Sequence, residues 1–160
     1  MRGMVEVKAY YRDVKRFGIP DDVYQGVEAL FIEDFGETWG EEFAKNELAG
    51  LVESDSPLYA IFVALDTDLN VVGMCYIEKR KSTWGLGGSF VTESLRGQRI
   101  SSAMMDKVEA EAVAHAIKFI ERAPSGSAPE YWRPAIVRRG YKEIRGRDDE
   151  WRLDLSRKER

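Results

Sequence analysis

The sequence predicts an α/β fold, of the α+β kind: a central, strongly twisted mixed sheet of six or seven strands with helices on both faces. Three observations carry that expectation. Apolar strand runs alternate with amphipathic helical patterns along the chain. The run Leu58–Leu65 is apolar without interruption, as a strand buried on both faces must be. Residues 84–116 read as a strand, a tight polar turn and a helix of strong formers. The length of 160 residues suits one domain. Residues 1–160 are therefore expected to form a single unit, with a core over 4–155 and a polar tail over 156–160.

Each element has its own reason. Residues 4–11 alternate, with Val5, Val7 and Ala9 on one face and Glu6, Lys8 and Tyr10 on the other, as in a half-buried strand. Pro20 with Asp21 and Asp22 marks a helix start, and Val23, Val27, Leu30 and Phe31 keep helical spacing. Gly36 and Gly40 punctuate that pattern, and residues 41–53 form a second helix. Leu58–Leu65 and residues 71–78 form a hairpin around the polar turn 66–70. A charged connection over 79–83 leads to a strand over 84–92. That strand contains Gly85, Gly87 and Gly88, which signal a bulge, a bend, a close ligand approach or an edge segment. A helix over 101–116 follows, with Met104, Val108, Ala112 and His115 on its inward stripe. Then come a strand over 116–121, a Pro/Ser/Gly loop over 123–129, a short helix over 131–139 ended by Gly140, and strands over 141–145 and 150–155.

Composition excludes several classes. Hydrophobic and charged fractions of 44% and 32% describe a chain with enough apolar material for a core. The net charge of −4 gives no support for a nucleic-acid partner or a polybasic membrane anchor. No run approaches the about 18 apolar residues of a membrane span, and residues 1–20 do not read as a signal peptide. The cytoplasm is the expected compartment. Cys75 is the one cysteine, so no internal disulfide forms, and it sits in an apolar run where a buried, inert thiol is expected. With His115 as the one histidine, no metal site of the Cys/His type is expected.

The junction at residues 91–105 concentrates the chemistry. It runs Val91-Thr92-Glu93-Ser94-Leu95-Arg96-Gly97-Gln98-Arg99-Ile100-Ser101-Ser102-Ala103-Met104-Met105. Ser101 and Ser102 are the expected helix N-caps. A helix that starts just after such a turn presents unpaired N–H groups, which suit a phosphate. Arg96 and Arg99 add charge whose planar fork matches phosphate oxygens.

This stretch resembles the acyl-CoA-binding motif of the GNAT superfamily of N-acetyltransferases, Gln/Arg-x-x-Gly-x-Gly/Ala. Val91 precedes Arg96 at the family spacing, and Arg96-Gly97-Gln98, Ile100 and Ala103 match. Arg99 stands where the family has its first signature glycine, and Ser101 where it has Gly or Ala. Residues 135–141 resemble the family's Phe-Tyr-x-x-x-Gly-Phe segment, with Gly140-Tyr141 fitting its end. The order of elements over 4–155 matches as well. The resemblance implies transfer of an acetyl or other acyl group from acetyl-CoA, the donor substrate, to an amine. The alternative is a GNAT-fold module that binds, scaffolds or regulates without catalysis.

The resemblance also implies where the donor lies. Its pyrophosphate would rest on the backbone of Gln98, Arg99, Ile100, Ser101 and Ser102, and its pantetheine would pair with Ser89, Phe90 and Val91. Arg96 and Gly97 complete the turn. Arg99 either crowds the pyrophosphate or folds outward onto the adenosine 3′-phosphate. The family's usual base, a carboxylate on the strand entering the motif, is missing, and Glu78 on the preceding strand is the nearest candidate. Its other and more ordinary reading is an exposed strand-end charge. The family's usual acid is a tyrosine at the position of Ile136. Tyr131 is the candidate substitute, with an aromatic anchor as its other reading. The acceptor is a small-molecule or protein amine, and the chain a monomer or homodimer. Residues 34–47 carry many acids together with Trp39 and Phe43, which suits a cationic amine or simply a solvated helix face.

Overall fold

A computed structural model describes residues 5–12, 15–53, 58–95, 99–123, 129–147 and 150–157. The elements run β1 (Glu6–Tyr11), α1 (Asp21–Trp39), α2 (Glu41–Val52), β2 (Leu58–Leu65), β3 (Val71–Arg80), β4 (Thr83–Val91), α3 (Ile100–Ala114), β5 (Phe119–Arg122), α4 (Pro129–Arg138), β6 (Lys142–Glu143) and β7 (Trp151–Asp154). They build a seven-stranded sheet in the order β1-β2-β3-β4-β5-β7-β6. Only β4 and β5 run parallel; the other neighbours are antiparallel.

Each face of the sheet carries its own core. On one, Ala60, Phe62 and Ala64 of β2 meet Met104, Val108 and Ala112 of α3, together with Ile136 of α4. On the other, Ile61, Val63 and Leu65 meet Val27, Leu30 and Phe31 of α1 and Leu48 of α2. The uninterrupted apolar run of β2 is thus explained by burial on both sides. Val5, Val7 and Ala9 pack toward the α3 face, as their alternation predicted.

Several boundaries differ from the sequence reading, each for a local reason. Helix α1 passes through Gly36 and stops at Gly40, whose φ of +95° lies in the region glycine enters without a Cβ clash. The charged connection at 79–83 shrinks to a two-residue turn, because β3 and β4 stay paired as far as Arg80 opposite Thr83. Helix α3 ends at Ala114, and Ala116 takes φ +58°. The N–H of Ile117 then bonds back to the Ala112 carbonyl, so β5 starts only at Phe119. His115 consequently leaves the inward stripe. It closes the helix, keeps 36% of its side chain exposed, and stacks on Tyr11 at 4.9 Å between ring centroids.

Candidate functional site

The sheet opens between β4 and β5. β4 pairs with β3 from Thr83 to Val91, but with β5 only from Thr83 to Leu86, where Leu86 meets Arg122. β5 ends there, at Arg122, and Gly87 to Phe90 have no strand partner on the β5 side among the described residues. An open strand edge is a ready partner for an extended ligand with amide groups of its own.

The glycines sit at the head of this opening. Tyr76 lies opposite Gly88 and Ile77 opposite Leu86, so Gly87 is the extra residue of a bulge. Of the four readings of these glycines, the structure supports the bulge. It also supplies the reason for Gly87 and Gly88, which is the Tyr76 ring. A Cβ on Gly87 would overlap ring Cε2. One on Gly88 would stand 2.7 Å from Cε1 and 2.9 Å from the hydroxyl oxygen. Phe90 packs on the same α1/α2 face of the sheet as Tyr76, its ring set into Phe31 and Phe35 at 5.2 and 5.4 Å between centroids. Phe90 therefore offers a ligand its backbone rather than its ring.

At the outer end of the opening stands the N-terminus of α3. Arg96, Gly97 and Gln98 lie outside the described residues. The helix begins at Ile100, and its N-cap is Arg99 rather than Ser101 or Ser102. The two serines fall in the first helical turn because Arg99 already turns the chain with φ +65° and ψ +18°. Its carbonyl accepts the first intrahelical bond, from the Ala103 N–H at 3.0 Å. Among the described residues no side chain caps the helix start, and the N–H groups of a first turn have no acceptor within the helix. Ile100 is buried, while Arg99, Ser101 and Ser102 are exposed. Together these leave donors facing outward at the positive end of a helix dipole.

A left-handed conformation at arginine costs about 1–2 kcal/mol. Arg99→Gly should therefore raise the free energy of unfolding by about 1 kcal/mol, the relief being partly offset by glycine's larger entropy loss. Chemical denaturation measures this. A loss of stability would show that the arginine side chain itself holds the turn.

Two distant side chains anchor the described chain before and after residues 96–98. Glu33 of α1 accepts the Thr92 hydroxyl at 2.8 Å and the Glu93 N–H at 2.7 Å, anchoring the exit from β4. Arg139, just past α4, donates to the Ser102 carbonyl and hydroxyl, both at 2.7 Å, and pairs with Asp106 at 2.9 Å and Glu109 at 3.4 Å. Sequence reasoning passed over Glu33 and gave Arg139 no role. No spacing rule connects residues so far apart in the chain.

The candidate catalysts are placed as follows. Glu78 lies on β3 opposite Gly85, one third exposed and 3.9 Å from Arg80. It is thus two residues from Tyr76, on the strand flanking the bulge. Tyr131 falls in the first part of α4, and its side chain lies outside what the structure describes. Cys75 is buried, and that burial pushes its thiol up to about 12, so it is inert as expected. Tyr141 is 2% exposed and belongs to the core. Burial holds its phenol well above the usual range. Arg122 ends β5 beside the opening, with its guanidinium 5.9 Å from the Tyr141 ring centre. Among the described residues no three His, Cys, Asp or Glu side chains converge as a metal site requires.

A family model described as the acetyltransferase (GNAT) family matches residues 24–128. The chain belongs to the GNAT acetyltransferase family. Its activity is accordingly that of an acetyltransferase. No curated protein sequence matches the chain. Among solved structures it is similar to a GNAT-family acetyltransferase from Staphylococcus aureus Mu50, at 15% identity and a TM-score of 0.64, covering 95% of this chain and 99% of that one. It is similar to a GNAT-family acetyltransferase from Brucella melitensis in complex with acetyl-CoA, at 14% identity and a TM-score of 0.64, covering 96% and 89%. It is also similar to the PaiA N-acetyltransferase from Thermoplasma acidophilum in complex with coenzyme A, at 9% identity and a TM-score of 0.63, covering 94% and 99%. At these identities the likeness concerns the fold.

Two departures from the GNAT pattern acquire physical content. At the family's tyrosine position Ile136 is 2% exposed and packed into the α3-side core, so no hydroxyl can come from there. At the family's glycine position Arg99 keeps a glycine-like backbone. A separate groove of about 590 Å³ lies along β6, β7 and the end of α4, lined by Phe119, Lys142, Arg145 and Arg152 among others. It does not coincide with the opening. Among the described residues, the opening joins an unpaired stretch of strand edge to a helix N-terminus, and the groove does not.

Proposed function

We propose that this GNAT-family chain transfers an acetyl group from acetyl-CoA to a primary amine, with the donor held in the β4–β5 opening. The observation that carries the reading is the pairing of two features along one line. The open edge of β4 suits the pantetheine amides, and the uncapped start of α3 suits the pyrophosphate. The GNAT match favours the transferase over a non-catalytic module. Within this reading Arg96, Gly97 and Gln98 complete the phosphate turn, and Arg99 folds its charge toward the phosphates from an exposed position. The acceptor is a small-molecule or protein amine. Near α1 and α2 the aromatic series Phe90, Phe35, Phe43 and Trp39 leads from β4 to the surface, Trp39 being 63% exposed. Glu37, Glu41 and Glu42 flank that surface, which favours an amine with a cationic body. The reading keeps the cytoplasm as the compartment.

A thermal-shift titration with acetyl-CoA tests donor binding, since a ligand that binds only the folded state must raise its stability. Absence of any shift at millimolar donor would sink the reading. The chemistry should rest on alignment more than on a strong acid/base pair. An amine of ordinary basicity loses its proton to water, and the rate should rise with pH toward that amine's pKa. Glu78→Gln and Tyr131→Phe should each lower kcat/KM by less than about tenfold, or about 1.4 kcal/mol of barrier. A hundredfold loss in either, with CoA binding intact, would make that residue a principal acid or base.

A further inference from the structure

We propose that Tyr76 is a catalytic residue of this transfer, its hydroxyl donating a hydrogen bond to the thioester sulfur as the thiolate departs. The assignment rests on the donor lying along the open edge of β4. Tyr76 stands on β3 directly opposite Gly88, at the one bulge between the two strands. Its ring reaches across β4 over Gly87 and Gly88. The hydroxyl oxygen is 2.9 Å from where a Gly88 Cβ would be. Two adjacent residues without side chains are what let a neighbouring strand's ring cross here. The phenol is thereby delivered to the stretch of β4 that has lost its β5 neighbour.

Direction supports the same point. The α3 N-terminus lies past the far end of β4, beyond Val91, and the strands close at Leu86 and Arg122. A donor with its phosphates at α3 must bring its other end, the acyl thioester, to the closed end of the opening. That end is formed by Gly87 and Gly88, beneath Tyr76.

The hydroxyl is also available. Tyr76 is half-buried, and its phenol has no hydrogen-bond partner among the described residues. Burial first, and then the carboxylates of Glu78 and Glu47, raise its pKa, so it stays protonated and can donate. No hydroxyl can come from position 136.

The step balances without a further reactant. The neutral amine nitrogen attacks the thioester carbonyl carbon, and a C–N bond forms. The tetrahedral intermediate loses its nitrogen proton to water and collapses. The C–S bond breaks and its electron pair leaves on sulfur. Tyr76 stabilises that developing charge through its O–H and keeps its own proton.

Tyr76→Phe keeps the ring that the glycines accommodate and removes only the hydroxyl. The acceptor for the test is the fastest amine from a panel of diamines, aminosugars and peptide α-amines. With acetyl-CoA, kcat should fall about thirtyfold while KM for acetyl-CoA changes less than about twofold. With S-phenyl thioacetate, whose thiolate leaves without help, the second-order rate should fall less than about threefold. A variant kcat within about twofold of wild type would overturn the proposal, because it would leave Tyr76 only a packing role. So would equal losses with both donors, which would place the hydroxyl on the acceptor instead. Failure of the wild-type protein to bind CoA or turn over any amine would overturn the donor-site reading itself. That failure shows in the wild-type assay and not in the comparison of variants.

Discussion

Replacing Arg139 by methionine should lower the free energy of unfolding by about 3 kcal/mol, at the lower end of the cost of breaking a buried ion pair. Arg139 holds Glu109, which is 6% exposed, together with Asp106 and the first turn of α3. The methionine fills much of the same volume, so the loss reflects charge rather than a cavity. The cost stays at the low end because Arg122 also faces Glu109. The double variant Arg139→Met with Glu109→Met should recover most of the loss, since two apolar groups replace the pair without a stranded carboxylate. Chemical denaturation of both variants and the wild type measures the difference. A single-variant loss below about 0.5 kcal/mol, the range of ordinary surface changes, would show that Arg139 carries no structural charge. In a folded Arg139→Met protein, the acetyl-CoA thermal shift should also shrink, because Ser102 loses the two bonds that fix the helix start.

Gly88→Val should reduce kcat/KM by about a hundredfold, the loss that a displacement near 1 Å can cause at a reacting centre. The valine Cβ would stand 2.7 Å from a ring carbon of Tyr76, closer than real Cβ contacts come. Either the ring swings away or β4 shifts at the bulge. In both cases the edge and the phenol no longer meet the donor together. The fold itself should survive, because overpacking of this kind costs about 1–3 kcal/mol. Combining Gly88→Val with Tyr76→Ala should restore stability by removing the clash, but not activity. Full activity in the single variant would show that the bulge takes no part in the site. Near-UV circular dichroism and acetyl-transfer assays separate the two effects.

The comparison of sequence with structure turns on contact distance along the chain. Strand β2 was legible because eight apolar residues in a row have one physical explanation, burial on both faces, and it runs from Leu58 to Leu65 as predicted. The start of α1 was legible in Pro20, Asp21 and Asp22, and its end at Gly40 in a residue that tolerates positive φ. The strand–turn–helix junction was legible too. Its N-cap was misplaced by two residues, since serine's capping preference is weaker than the left-handed turn imposed at Arg99. The ends of α3 and β5 shifted because the chain uses 115–118 to satisfy helix carbonyls before it can extend.

By itself, then, the sequence determined the order of strands and helices, the passage from strand to helix between Val91 and Ile100, and the absence of a hydroxyl at position 136. These follow from local periodicity, turn chemistry and residue identity. Only the tertiary structure decided which residues meet there. Glu33 reaches Thr92 and Glu93 across 59 and 60 positions, and Arg139 reaches Ser102 across 37. Tyr76 explains Gly87 and Gly88 only once β3 and β4 are in register. The end of β4–β5 pairing at Leu86 and Arg122 is likewise a property of the paired sheet. Such contacts depend on strand register and helix packing, which the whole core fixes at once, and no window of neighbouring residues encodes them.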